Sequence, residues 1–321
     1  MTNKTKQQED YLSRIASGID DISSELKPIK DAIEKNDRKN DPSDFNKYLI
    51  IDLDMLPGGI FYKVGTVIRI RAAGVAEIQA YSVVNNVSHQ DVREKMNAML
   101  SSCVKITFPN GTHGSYEDIK LCDRLTIILM IRELTFQKGS SLAKQSKCTH
   151  CGESFEVPYR VVASQTQKST VVNHVLPDDI LEFFRTDLRC FEFDFNGEPI
   201  RIGPVTIGLE ASIMGHIIDI NKKTGEIIDD SFAKIIPYTM YDRNKISEDG
   251  LRAKLKEYKN MEDIEKFLFL NSAVDELILG IKEIKTECPK CNGEVCTDMI
   301  FPNGTSSIFV LPNAFRQHIK K

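Results

Sequence analysis

Two Cys-x2-Cys turns lying far apart in the chain constrain its fold more than any other feature. They read Cys148-Thr149-His150-Cys151-Gly152 and Cys288-Pro289-Lys290-Cys291-Asn292-Gly293. In such a knuckle both thiolates point at one ion while backbone amides hydrogen-bond to the sulfurs. The residue after the second cysteine turns the chain back with positive φ, which Gly152 supplies and Asn292-Gly293 can supply. Two knuckles give four thiolates, a closed tetrahedral set for Zn²⁺ with no open position for a substrate. Cys148, Cys151, Cys288 and Cys291 are therefore the expected ligands of one structural zinc ion. Strand-like sequence follows each pair, at 154–159 and 294–300, completing a ribbon-like geometry. Residues 152–287 are far more than a compact ribbon needs, so a helical region is expected as an insertion, with the zinc as a clasp between distant parts of the chain.

Competing uses of the knuckles are dithiol redox chemistry, an iron–sulfur site, and plain unliganded thiols. A redox pair is expected at the start of a helix after a strand, whereas β-like sequence follows both pairs here. Eight cysteines without an apolar export signal in Met1 to Asp10 point to reduced thiols or metal in a cytosolic chain, rather than to a disulfide framework. Of the others, Cys296 is expected on the outgoing strand, and Cys103, Cys122 and Cys190 read as small core residues. His150 is expected to face solvent.

The first 35 residues follow a different rule. Leu12, Ile15, Ile19, Ile22, Leu26, Ile29 and Ile33 recur at alternating spacings of 3 and 4, the apolar seam of a heptad. Isoleucine at both seam positions favours three or four strands over two, so an N-terminal amphipathic, coiled-coil-like helix forming a homo-oligomer, first of all a trimer, is expected. Pro28 interrupts the run, and a surface helix lying on its own domain is the competing reading.

Beyond this the chain divides into a polar linker at 36–47, an α+β part at 48–151 ending in the first knuckle, an inserted hairpin and helical region at 152–287, and the second knuckle with C-terminal strands at 288–321. The expected fold class is α+β, a body of small sheets and helices with a zinc-ribbon-like site closed by the two distant knuckles. Within it, Val67 to Arg71 alternates as a strand, Ser88 caps a helix carrying Val92, Met96, Met99, Leu100 and Cys103 on one face, and a second helix is expected over 118–134. Pro177-Asp178-Asp179 opens a helix through Phe184. Asn196-Gly197, between alternating Phe191, Phe193, Phe195 and Ile200, Ile202, marks a two-residue hairpin. Several helices follow over 206–278. A Cys-x4-Phe-Pro-Asn-Gly-Thr string occurs twice, ending at Thr112 and Thr305, and reads as reused turn chemistry.

A formal charge of −4 and a pI near 5.9 argue against a wide nucleic-acid footprint. No stretch is apolar enough to span a membrane. The chain lacks the phosphate loop, the dinucleotide glycine fingerprint, the His-Glu-x2-His zinc motif and the Gly-x-Ser-x-Gly elbow, so no enzyme activity is expected. A zinc-ribbon nucleic-acid-binding regulator is the alternative, on the lysines around 144–147 and 282–290.

Leu56-Pro57-Gly58-Gly59-Ile60-Phe61-Tyr62, then Val67-Ile68-Arg69-Ile70-Arg71, then Ile131-Arg132-Glu133-Leu134-Thr135-Phe136 leading into Cys148-Thr149-His150-Cys151, carry a resemblance. In this order they resemble the baseplate proteins of T-even-type contractile-tailed bacteriophages, of the hub or hub-assembly type, over roughly residues 50–320. The heptad segment departs from that pattern. The resemblance implies a structural or assembly protein made in the host bacterial cytoplasm. It would bind other baseplate or tail proteins and either remain in the virion baseplate or leave after assembly.

Overall fold

The computed structural model describes residues 48–136, 142–162, 168–225, 228–240, 246–301 and 304–309. The heptad positions Leu12 to Ile33 and the 36–47 linker lie outside the described residues. What is described is a mixture of helices and small antiparallel sheets built around two hydrophobic cores.

The first core belongs to a four-stranded sheet: β1 (Tyr48–Ile51), β2 (Val67–Arg71), β3 (Val104–Thr107) and β4 (His113–Gly114), hydrogen-bonded in that order. The alternation in β2 buries Ile68 and Ile70 and leaves Val67, Arg69 and Arg71 half-buried. Helices α1 (Val75–Ser82), α2 (His89–Cys103) and α3 (Arg124–Thr135) complete this body. Ser88 caps α2 as its sequence requires, its Oγ accepting the Asp91 N–H at 3.1 Å. Met96, Met99, Leu100 and Cys103 are buried beneath it.

α3 begins six residues later than its apolar pattern predicts. Tyr116–Asp118 and Leu121–Asp123 form 3-10 turns instead. The backbone between them is used elsewhere: Leu121 N–H donates to the Val205 carbonyl at 2.8 Å, and Ile119 C=O accepts from Ile207 N–H at 2.9 Å. Groups committed to a tertiary pairing cannot also close helical hydrogen bonds.

The second core belongs to an excursion that leaves the body after β7 (Val171–Asn173) and returns at β11 (Ile281–Glu287). These strands pair antiparallel, Asn173 opposite Ile281, and His174 N–H donates to Gly280 C=O at 2.8 Å, so the neck is closed by its own hydrogen bonds. The excursion starts with α4 (Asp178–Leu181), which stops short of Phe184 because β8 (Phe184–Arg185) pairs with β9 (Cys190–Phe195). β9 and β10 (Glu198–Ile202) form the expected hairpin, with Asn196 at φ 54° and Gly197 at φ 84° in its two-residue turn. Four helices follow: α5 (Ile207–Thr224), α6 (Asp230–Thr239), α7 (Glu248–Lys259) and α8 (Ile264–Leu277). They bury Ile213, Ile235, Leu251 and Val274 against Phe191 of the hairpin. Gly225 ends α5 in the left-handed conformation at φ 69°. Among the described residues no helix is long and apolar enough to cross a membrane.

Candidate metal centre

Each knuckle caps a hairpin. β5 (Ala143–Lys147) runs into the first and β6 (Ser154–Pro158) leaves it; β11 runs into the second and β12 (Glu294–Thr297) leaves it. The two turns have the same backbone plan. Cys148 N–H donates to Glu153 C=O at 2.8 Å and Gly152 N–H to Cys148 C=O at 3.0 Å; Cys288 N–H donates to Gly293 C=O at 2.8 Å and Asn292 N–H to Cys288 C=O at 2.9 Å. Gly152 at φ 72° and Asn292 at φ 56° occupy equivalent positions, the positive-φ turn that the sequence demands.

The hairpins bring all four sulfurs together, within 4.8 Å of one another. Cys148 Sγ lies 3.7 Å from Cys291 Sγ and Cys151 Sγ 3.6 Å from Cys288 Sγ, so each knuckle faces the other. A tetrahedron with metal–sulfur bonds of about 2.3 Å has sulfur–sulfur edges of about 3.8 Å, which these spacings approach. All four thiols are unbridged; Cys148 and Cys288 are buried with Val295 under Phe155, while Cys151 and Cys291 reach the surface. The four residues expected as ligands are thus one constellation able to hold a metal ion.

The electrostatics fit a cation. The Cys151 amide, joined by that of His150, holds the Cys148 thiol down to about 6 against the opposing effect of burial. Although the Glu153 amide favours its thiolate, Cys151 is pushed up to about 12 by burial and by the sulfurs of Cys291, Cys288 and Cys148. One thiolate forms readily and the next is resisted, because like charges at these distances need a cation between them. The contacts around the sulfurs are reciprocal. Lys290 reaches Glu153 of the first knuckle at 3.1 Å, and the His150 ring lies over Gly293 of the second, where an added Cβ would stand 2.7 Å from Cδ2. His150 is exposed, Cys296 lies exposed on β12, and Cys103 and Cys190 are buried as expected, while Cys122 is half-buried.

A second polar cluster has no signature in the sequence. Asp123 is fully buried; its Oδ1 accepts the Gly58 N–H at 2.6 Å and its Oδ2 accepts the Tyr62 hydroxyl at 2.8 Å. Tyr62 Oη in turn accepts the Lys120 N–H at 2.9 Å. A Cβ on Gly58 would stand 2.6 Å from Cys122 Sγ, and one on Gly59 would strike the Leu53 carbonyl oxygen, which explains the paired glycines. Gly58 could have been marked as a close-approach glycine from its turn context, but Asp123 could not be chosen from among the chain's acids.

Compared with known protein families, curated proteins and solved structures, the chain has no match.

Proposed function

We propose that this protein is a structural or assembly component of a bacteriophage contractile-tail baseplate, acting through protein–protein binding, with one structural Zn²⁺ closing a split zinc ribbon. The observation that carries the metal part is the facing of two congruent knuckles at tetrahedral sulfur spacing. Both Cys-x2-Cys pairs sit between strands rather than in the first turn of a helix, which favours a ligand set over dithiol redox chemistry. Four thiolates leave no coordination position for substrate water, in keeping with a non-catalytic role. The assembly part is supported by the ordered motifs that resemble baseplate hub proteins, made in the host cytoplasm.

The ribbon lysines that would favour a nucleic-acid reading are engaged by neighbours: Lys285 with Glu294 at 2.6 Å, Lys290 with Glu153 at 3.1 Å, and Lys144 with Thr297 Oγ1 at 3.0 Å. That pairing weakens their claim on phosphates.

Elemental analysis and light scattering on one purified sample test the reading. One zinc per chain in a trimer is expected, and Ile19→Asp with Ile22→Asp should reduce the mass while the body stays folded. Capture of tail or baseplate proteins from infected cells should depend on metal-loaded protein. A metal-free folded chain would remove the zinc, and failure to bind any tail protein would remove the assembly role.

A further inference from the structure

Where the sheet body meets the helical excursion, a cleft of about 1040 Å³ opens. Tyr62, Thr66 and Lys120 line it from the body, and Arg189, Thr206 and Lys254 from the excursion. Among the described residues, four cations, with Lys63 the fourth, and one carboxylate, Asp118, line it, in a chain whose formal charge is −4. Lys254 is engaged by Glu257 at 2.8 Å. Lys120 and Arg189 are both half-buried, and among the described residues neither forms an ion pair. Burial, and then the Arg189 charge, lower the Lys120 pKa against the opposing charges of Cys122, Asp123 and Asp118; burial lowers that of Arg189. Two desolvated like charges facing one concavity are unfavourable unless an anion lies between them.

The backbone supports a function for these two side chains. Arg189 has φ 56°, and among the described residues the other positive-φ positions outside glycine are Asn196 and Asn292, a type that tolerates this region. Arginine adopts it less readily; here it closes the 186–189 loop between β8 and β9, which places Arg189 on the cleft wall. Arg189 Nη2 donates to the Phe61 carbonyl at 2.9 Å, which pins the guanidinium at the cleft. Lys120 is stationed by its own amide, bound to Tyr62 and through it to the buried Asp123. Thr66, 5 % exposed, contributes a buried Oγ1 with no hydrogen-bond partner among the described residues. Phe61, Leu188 and Met240 supply apolar wall.

We propose that this cleft binds an anionic ligand with an apolar body, its phosphate or carboxylate groups held between Lys120 and Arg189 with Lys63 at the rim. The anion comes either from a phosphorylated small molecule or from acidic side chains of a protein partner. The inference stands apart from the metal site and from the baseplate reading.

Calorimetric titration of the full metal-loaded chain at low salt tests it, with pyrophosphate, adenosine diphosphate and a glutamate-rich peptide as separate probes. At least one should bind at a single site, weaken as salt rises, and lose about tenfold in affinity in Lys120→Gln and in Arg189→Gln. Lys168→Gln, on the exposed ribbon, should leave binding unchanged. A phosphate probe binding alone assigns a small molecule; the peptide binding alone assigns a protein segment. Arg189 also holds the Phe61 carbonyl, so thermal melts accompany each variant, and the exposed Lys63→Gln serves if Arg189→Gln fails to fold. No saturable binding by any probe, or binding that survives both Lys120→Gln and Lys63→Gln in folded protein, would overturn the proposal.

Discussion

Asp123 holds a proton further up the pH scale than an ordinary aspartate. Burial raises its pKa from 3.8 to about 6, against the opposing Gly58 amide, the Tyr62 hydroxyl, the Cys122 thiol and the Lys120 charge. Between those two values the folded chain keeps the proton and the unfolded chain has lost it. Stability therefore falls as pH rises through that window and levels off above it. The full effect is about 3 kcal/mol. Asp123→Asn lacks this slope, and thiol protonation is common to both proteins. Unfolding free energies of the pair from about pH 4 to 7 should drift apart by that amount, the wild type losing ground; a constant difference would contradict the assignment. Cys148→Ser or Cys291→Ser should destabilise the body by about 3 kcal/mol or more and lower Tm by roughly 10 °C, with loss of bound zinc. An unchanged melt in either variant would contradict the clasp. Asn292→Ala should cost about 1 kcal/mol while Asn292→Gly is tolerated, since only the former forces a β-carbon into positive φ. The knuckle cysteines that the structure brings together were legible in sequence because each pair's spacing is local. Asp123 was not, because its partners Gly58 and Tyr62 lie 65 and 61 residues away.

Elements whose signals are short-range are where the sequence pattern and the structure agree. The Ser88 cap, the alternation of β2 and the Asn196-Gly197 turn each need only neighbours within a few residues. The two misplaced helix ends have one cause, backbone recruited by another segment: residues 119–121 by the distant start of α5, and Phe184–Arg185 by the neighbouring β9. α3 shows how an element is tied in by its polar residues. Glu133 on it accepts the Val161 N–H at 2.5 Å and the Val162 N–H at 3.1 Å, while Thr135 Oγ1 accepts the Ala73 N–H at 2.9 Å. Glu133→Ala leaves two amides without their acceptor and should cost about 2 kcal/mol in chemical denaturation. Gly197→Ala should cost about 1 kcal/mol and act on the excursion alone.

On the scale of the molecule, two cores meet along a single seam, where Phe61 packs at ring-centroid distances of 5.6 Å and 5.9 Å on Phe184 and Phe191, and Arg124 pairs with Glu210 at 2.9 Å. The excursion's core includes none of the four thiols. Chelation should therefore strip hydrogen-exchange protection from β5, β6, β11 and β12 while most helical circular dichroism is kept; equal loss everywhere would make the two cores one cooperative unit. The separation of the knuckles along the chain also sets an order of events in time. At ~5–20 residues per second, a ribosome needs roughly 7 to 27 seconds to make residues 152–287, which lie between them. During that interval the first knuckle offers half of a coordination sphere, and the excursion, whose core lies largely between them, is complete before its partner emerges. If the proposed zinc is the clasp, the nascent chain completes its excursion first and locks its frame last, with metal supply governing only the final step.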